Sequence, residues 1–125
     1  MQKERYENLS VYRISKHLAD EIWKTVEQWG AFERDEVGER LIQSSDTLAS
    51  NIARATIDGA LDDNIRFAKN ARSSLFETKH WLKKAQRRDF LTLTESEEMM
   101  TLVDMLTPGI NRLIDLLSAR KRFGG

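Results

Sequence analysis

Glu77 and His80 on the third predicted helix are spaced as Glu-x-x-His, the pattern by which helical bundles place two ligands on one iron of a di-iron centre. Their direction speaks against that use. At about 100° per residue the apolar face of this segment is centred on Leu75, Thr78 and Leu82, so His80 points the other way, beside Lys79 and Lys83. His17, the second of two histidines, is followed by Asp20 and Glu21 rather than preceded by a glutamate at the right distance. Nucleophilic catalysis finds no Cys, and Ser44, Ser45 and Ser50 have no histidine in their own segment to serve as base. There is also no Gly-rich loop to cradle a phosphate. The expectation is a protein that is not an enzyme, with no catalytic residues, no metal, no cofactor and no small-molecule substrate.

The remaining chemistry is electrostatic. Lys69, Arg72, Lys79, Lys83 and Arg87 fall within about 80° of one another on the third helix, with Phe76 among them. A stripe of this kind is often only a solvated face, but an aromatic ring in its middle offers a surface on which a base or a neighbouring subunit can stack. Three readings stand side by side: contact with another subunit or protein, a plain solvated face, and nucleic-acid binding. The first has a ready partner in Asp20, Glu21, Glu27, Glu33, Asp35, Glu36 and Glu39, which gather in the first helix and the loop after it.

The elements that position these residues follow from composition and periodicity. The chain has 125 residues, 40% of them hydrophobic and 32% charged, with one Pro and six Gly, which favours a single all-α domain with a real core. Apolar residues recur at three and four positions in four stretches, predicting helices over about 10–29, 35–57, 65–88 and 95–121. The stretch Leu41 to Ala60 is the one around which the others pack: Val37, Leu41, Ser45, Leu48, Ile52, Ala55 and Gly59 form one stripe, and Gln43, Ser44, Thr47, Asn51 and Arg54 a polar neighbour. Asp35 and Asn64 are expected to cap the second and third helices, and Thr94 with Glu97 to form a capping box for the fourth. Pro108 removes a backbone hydrogen bond inside the fourth helix and is expected to kink it near Asp104 to Pro108 without ending it, since the apolar register continues on both sides. Residues 1–9 read as a polar lead-in, and the tail from Ala119 onward as a mobile basic end.

Three short connections imply an up-down-up-down, left-handed four-helix bundle. Its most buried side chains should be Leu18, Ile22, Leu41, Leu48, Ile52, Leu75, Leu82, Leu106, Ile110 and Leu113. With twenty basic and twenty acidic residues the formal charge is zero, which argues against coating nucleic acid with the whole surface. The N-terminus lacks the apolar core of a signal peptide and no apolar run would span a bilayer, so the expected location is cytoplasmic, without membrane contact.

Ser50, Asn51, Ile52 and Ala53, together with Ala71, Arg72, Ser74, Leu75 and Glu77, resemble a bacterial four-helix-bundle family. It comprises proteins encoded in intervening sequences of large-subunit rRNA genes and the related accessory variability proteins of diversity-generating retroelements. The similarity runs from Leu9 and Val11 into the fourth helix. Arg54 and Ala55 stand where the family usually has Glu-Gly, Gln43 and Ser44 where it has Arg-Ala, Ser73 in place of Gly, and Lys79 in place of Glu. The resemblance implies a ring of five subunits without known catalytic residues. For the retroelement members it also implies a basic surface that binds nucleic acid and a reverse transcriptase.

The residues argue for assembly on their own account. Tyr12, Trp23, Met105 and Leu116, and with them Phe76, sit on flanks outside the four apolar stripes, where they mark an interface. The row Gln43, Thr47 and Asn51 would allow a close, hydrogen-bonded helix contact. The expected partner is therefore a second copy of the chain in a closed ring-like homo-oligomer, a pentamer by the resemblance. The function expected is a non-enzymatic scaffold or adaptor linked to an RNA or retroelement process. The alternative is a nucleic-acid-binding accessory protein, whose partner is nucleic acid or an enzyme acting on it.

Overall fold

The computed structural model describes residues 10–124, all of which lie in helices or their connections, with no strand among the described residues. Four long helices form the molecule: α1 (Ser10–Val26), α2 (Glu39–Thr56), α3 (Leu61–Arg87) and α4 (Leu93–Arg122). The principal packing pairs are α1 with α2, α2 with α3, α3 with α4, and α1 with α4, so the core lies among all four. Leu18, Ile22, Leu41, Leu48, Ile52, Leu75, Leu82, Leu106 and Ile110 are buried in it, as the periodicity requires. Leu113 is the exception: it packs against the core only partly buried, with Ile114 and Leu117 taking the inward positions. The expected lead-in, including Leu9, lies outside the described residues.

The helix ends depart from the sequence reading for local reasons. Asp35 does not cap the second helix, because the chain is already helical at Ala31–Glu33 and passes through a π turn at Arg34–Gly38 before α2 begins. The wide turn buries both Val37 and Gly38. Gly38 is required there, since a Cβ would stand 2.6 Å from Cγ1 of Val26. Gly59, expected in the buried stripe, is exposed in the connection after α2.

Asn64 does not cap the start of α3, which begins three residues earlier. It is buried inside the helix, and its amide donates to the carbonyls of Arg54 and Ile57, each at 3.1 Å, so it closes the C-terminus of α2 instead. The capping box of α4 is made by Thr92 and Glu95, two residues before the expected pair. Both pairs satisfy the same Thr-x-x-Glu pattern, and burial of Leu91 turns the chain at Thr92. α3 itself ends on Asp89 in the left-handed region (φ 60°), with Phe90 N–H donating to the Ala85 carbonyl and Asp89 N–H to that of Gln86, a Schellman closure. Phe90 then meets Trp29 edge-on at 5.6 Å, tying this turn to the end of α1.

α4 continues through Pro108 to Arg122, so Ala119 to Arg122 are helical rather than a loose tail. Lys121 pairs there with Asp62 at the start of α3.

Candidate functional site

The polar stripe of α2 is matched mainly by α3. The Ser44 and Thr78 hydroxyls share a buried hydrogen bond at 3.0 Å, and the Asn51 amide donates to Ser74 Oγ at 3.3 Å. Ser45 donates to the Leu41 carbonyl of its own helix at 2.8 Å, and no buried side-chain nitrogen or oxygen among the described residues lacks a partner. This seam explains how a helix with so many hydroxyls can sit centrally: each is satisfied before it is buried. Gln43 and Thr47 are exposed and line a groove on the outer side of the seam with Trp81. Trp81 carries the Arg40 guanidinium over its ring at 4.9 Å and the Lys84 ammonium at 5.2 Å.

The outward side of α3 is different. Lys69, Arg72, Lys83 and Arg87 are exposed, Lys79 is half-buried, and Phe76 is 77% exposed with no ring contact among the described residues. Among the described residues none of the five cations has an acidic ion-pair partner, and Arg72 donates from Nη1 to Asn111 Oδ1 on α4 at 3.4 Å. His80 is exposed, its ring edge-on to Trp81 at 4.8 Å. Among the described residues no three His, Asp or Glu side chains converge on a point where a metal ion would sit.

The apolar flanks divide. Trp23, Met105 and Leu116 are 54%, 51% and 56% exposed, whereas Tyr12 is half-buried and packs against the core. Phe32, 65% exposed, lies between the first two predicted helices, where no helical register assigns a side chain to a face. Its neighbours Ala31 and Glu33 are helical, and that short helical turn borders a groove of about 260 Å³ between α1 and α2, floored by Val26 and Ile42 and walled by Trp23. Glu27, Asp35 and Glu39 stand around it, with Arg34. Arg34 is engaged with α1's end: its Nε donates to the Val26 carbonyl at 3.4 Å and its Nη2 to that of Glu27 at 3.2 Å. Along the same pair of helices, the Asp46 carboxyl is held above its ordinary value, first by burial and then by the charge of Asp20.

The sequence profile of the 23S rRNA-intervening sequence proteins matches residues 7–112. The chain belongs to that family. The matched span takes in α1, α2 and α3 whole and α4 as far as Arg112, so the seam, the basic side of α3 and the α1–α2 groove all fall within the intervening-sequence-protein region. No curated protein gives a significant match. No helix among the described residues is long and apolar enough to cross a membrane.

Proposed function

We propose that this intervening sequence protein is a non-enzymatic, cytoplasmic scaffold that works as a closed homo-oligomer of up-down-up-down, left-handed bundles, five to a ring as the family resemblance implies. One observation carries the reading. Trp23, Phe32, Phe76, Met105 and Leu116 stay more than half exposed on a bundle whose core is already filled. Large apolar side chains on the flanks of a complete core are what neighbouring subunits cover. The side-by-side packing of successive helices through short connections supports the proposed topology. A ring presents several copies of one surface, which suits an adaptor serving an RNA-linked or retroelement process. Light scattering after size exclusion tests it at micromolar concentration: a multiple of 14.5 kDa is expected, and a single species near 14.5 kDa would refute the oligomer.

A second reading, nucleic-acid binding through α3, is favoured by five cations that have no acidic ion-pair partner among the described residues and lie around an exposed Phe76. Such binding would weaken steeply with salt, because phosphate contacts release counterions. A gel-shift titration with RNA, duplex DNA and hybrid at low and moderate salt tests it, and no shift at low salt removes it.

A further inference from the structure

Two charged faces of this chain, one of each sign, have no ion pair among the described residues. On α3, Arg72, Lys79 and Lys83 surround Phe76 at positions minus four, plus three and plus seven, one continuous strip of helix surface. Across the molecule, Glu27, Asp35 and Glu39 rim the groove whose apolar floor and wall are Val26, Ile42 and Trp23. None of these three carboxylates, nor any of the three cations, forms an ion pair among the described residues. The basic strip thus offers a bulky aromatic knob ringed by cations. The groove offers an aromatic-walled, apolar socket edged by three carboxylates, with the Arg34 guanidinium beside them engaged by the carbonyls of Val26 and Glu27, and room for one such ring.

We propose that these two faces meet between copies, Phe76 of one chain seating beside Trp23 in the α1–α2 groove of the next, while Lys79 and Lys83 pair with Asp35 and Glu39. This rests on the oligomeric reading above and specifies its contact. Because knob and socket lie on different faces of one chain, the contact is heterologous, so each subunit uses both faces and a ring closes when the rotation permits. Desolvating an exposed ring in an apolar socket supplies affinity, and the flanking charges set register and exclude other orientations. The occupant is a second copy of this chain because the complementary face is present on the chain itself.

Charge reversal on each face, separately and together, tests the pairing by light scattering, with circular dichroism reporting helix content. Asp35→Lys with Glu39→Lys, and separately Lys79→Glu with Lys83→Glu, should each convert the assembly to species near 14.5 kDa that keep their helical signal. All four changes in one chain should restore the parent's mass, since the reversed faces are again complementary. Phe76→Ala, at a ring 77% exposed, should weaken assembly about tenfold or more without loss of helix. If either charge pair leaves the parent's mass unchanged, or the fourfold chain stays dissociated while folded, the pairing is wrong though the oligomer stands. A loss of RNA binding with the mass unchanged would likewise overturn it and assign the strip to nucleic acid. Should the parent chain itself be a monomer, the oligomeric reading falls first and this contact with it.

Discussion

Leu75 and Phe76 are adjacent on α3, yet one is 5% exposed and the other 77%. The contrast extends along the whole helix. The inward side, Asn64, Ala68, Ala71, Leu75, Thr78, Leu82 and Ala85, is buried, and its polar members are hydrogen-bonded to α2 or to their own helix. The outward side holds charge and an aromatic ring with few partners among the described residues. One helix therefore does two jobs: its inner side closes the fold, and its outer side is left to interact. The teaching is that interaction surface is recognised by absent satisfaction rather than by residue type, since Ser, Thr and Asn on the inner side are as polar as many surface residues and are fully used.

The sharpest break in the comparison is Leu82→Ala on the inner side. Leu82 is 2% exposed, so truncation removes buried methyl groups and leaves a cavity, with an expected loss of about 2 to 5 kcal/mol by denaturant unfolding. A loss under about 1 kcal/mol would mean that the core collapses around the deletion and that this side is not tightly packed. Next comes Asn64→Ala, which strips the Arg54 and Ile57 carbonyls of a donor at the end of α2. The expected cost is about 1 to 3 kcal/mol, together with faster amide exchange in the last turn of α2. Unchanged exchange there would show that water replaces the amide without penalty.

Asp46→Asn probes the acidic edge. Its folded carboxyl titrates above the ordinary value that applies unfolded, so the charged form costs the folded state something at neutral pH. Stability of the parent should therefore rise as pH falls through the raised value toward the ordinary one. The Asn variant should be the more stable at neutral pH, and its advantage should shrink over that same window. Melting followed at several pH values checks this, and an advantage that grew on acidification would reverse the sign. The smallest expected effect on the fold is that of Phe76→Ala, within about 0.5 kcal/mol for the separated chain, because the ring touches no core. Compared with Leu82→Ala, it should leave folding alone and be read only in assembly.

Much of this architecture was legible in the residues. Apolar positions repeating at three and four spacings predicted which side of each helix is buried, because a helix must place such residues together and water expels them. The outward character of Phe76 and the basic strip came from the same register, as did the direction of His80. The ends were less legible, since competing local patterns are nearly equal in energy and packing elsewhere chooses among them. Thr92 and Thr94 are equally good caps by pattern, and the burial of Leu91 selects the first. Asn64 read as a helix start because its type suits a cap, but the carbonyls it closes belong to another helix and meet it only after α2 and α3 pack.

By itself, then, the sequence determined an all-α chain with four amphipathic stretches, their buried sides, and a charge pattern that collects cations on α3 and anions near α1 and α2. Those properties are local and periodic, so they are written at short range along the chain. Tertiary structure alone decided that the hydroxyls of Ser44 and Thr78 satisfy each other and that Gly38 must lack a side chain beside Val26. It alone opened the groove between Trp23 and Ile42 among Glu27 just past α1, Asp35 in the π turn and Glu39 at the start of α2. Each of these joins residues distant in sequence, and no local propensity reports the distance between two helices until both are packed.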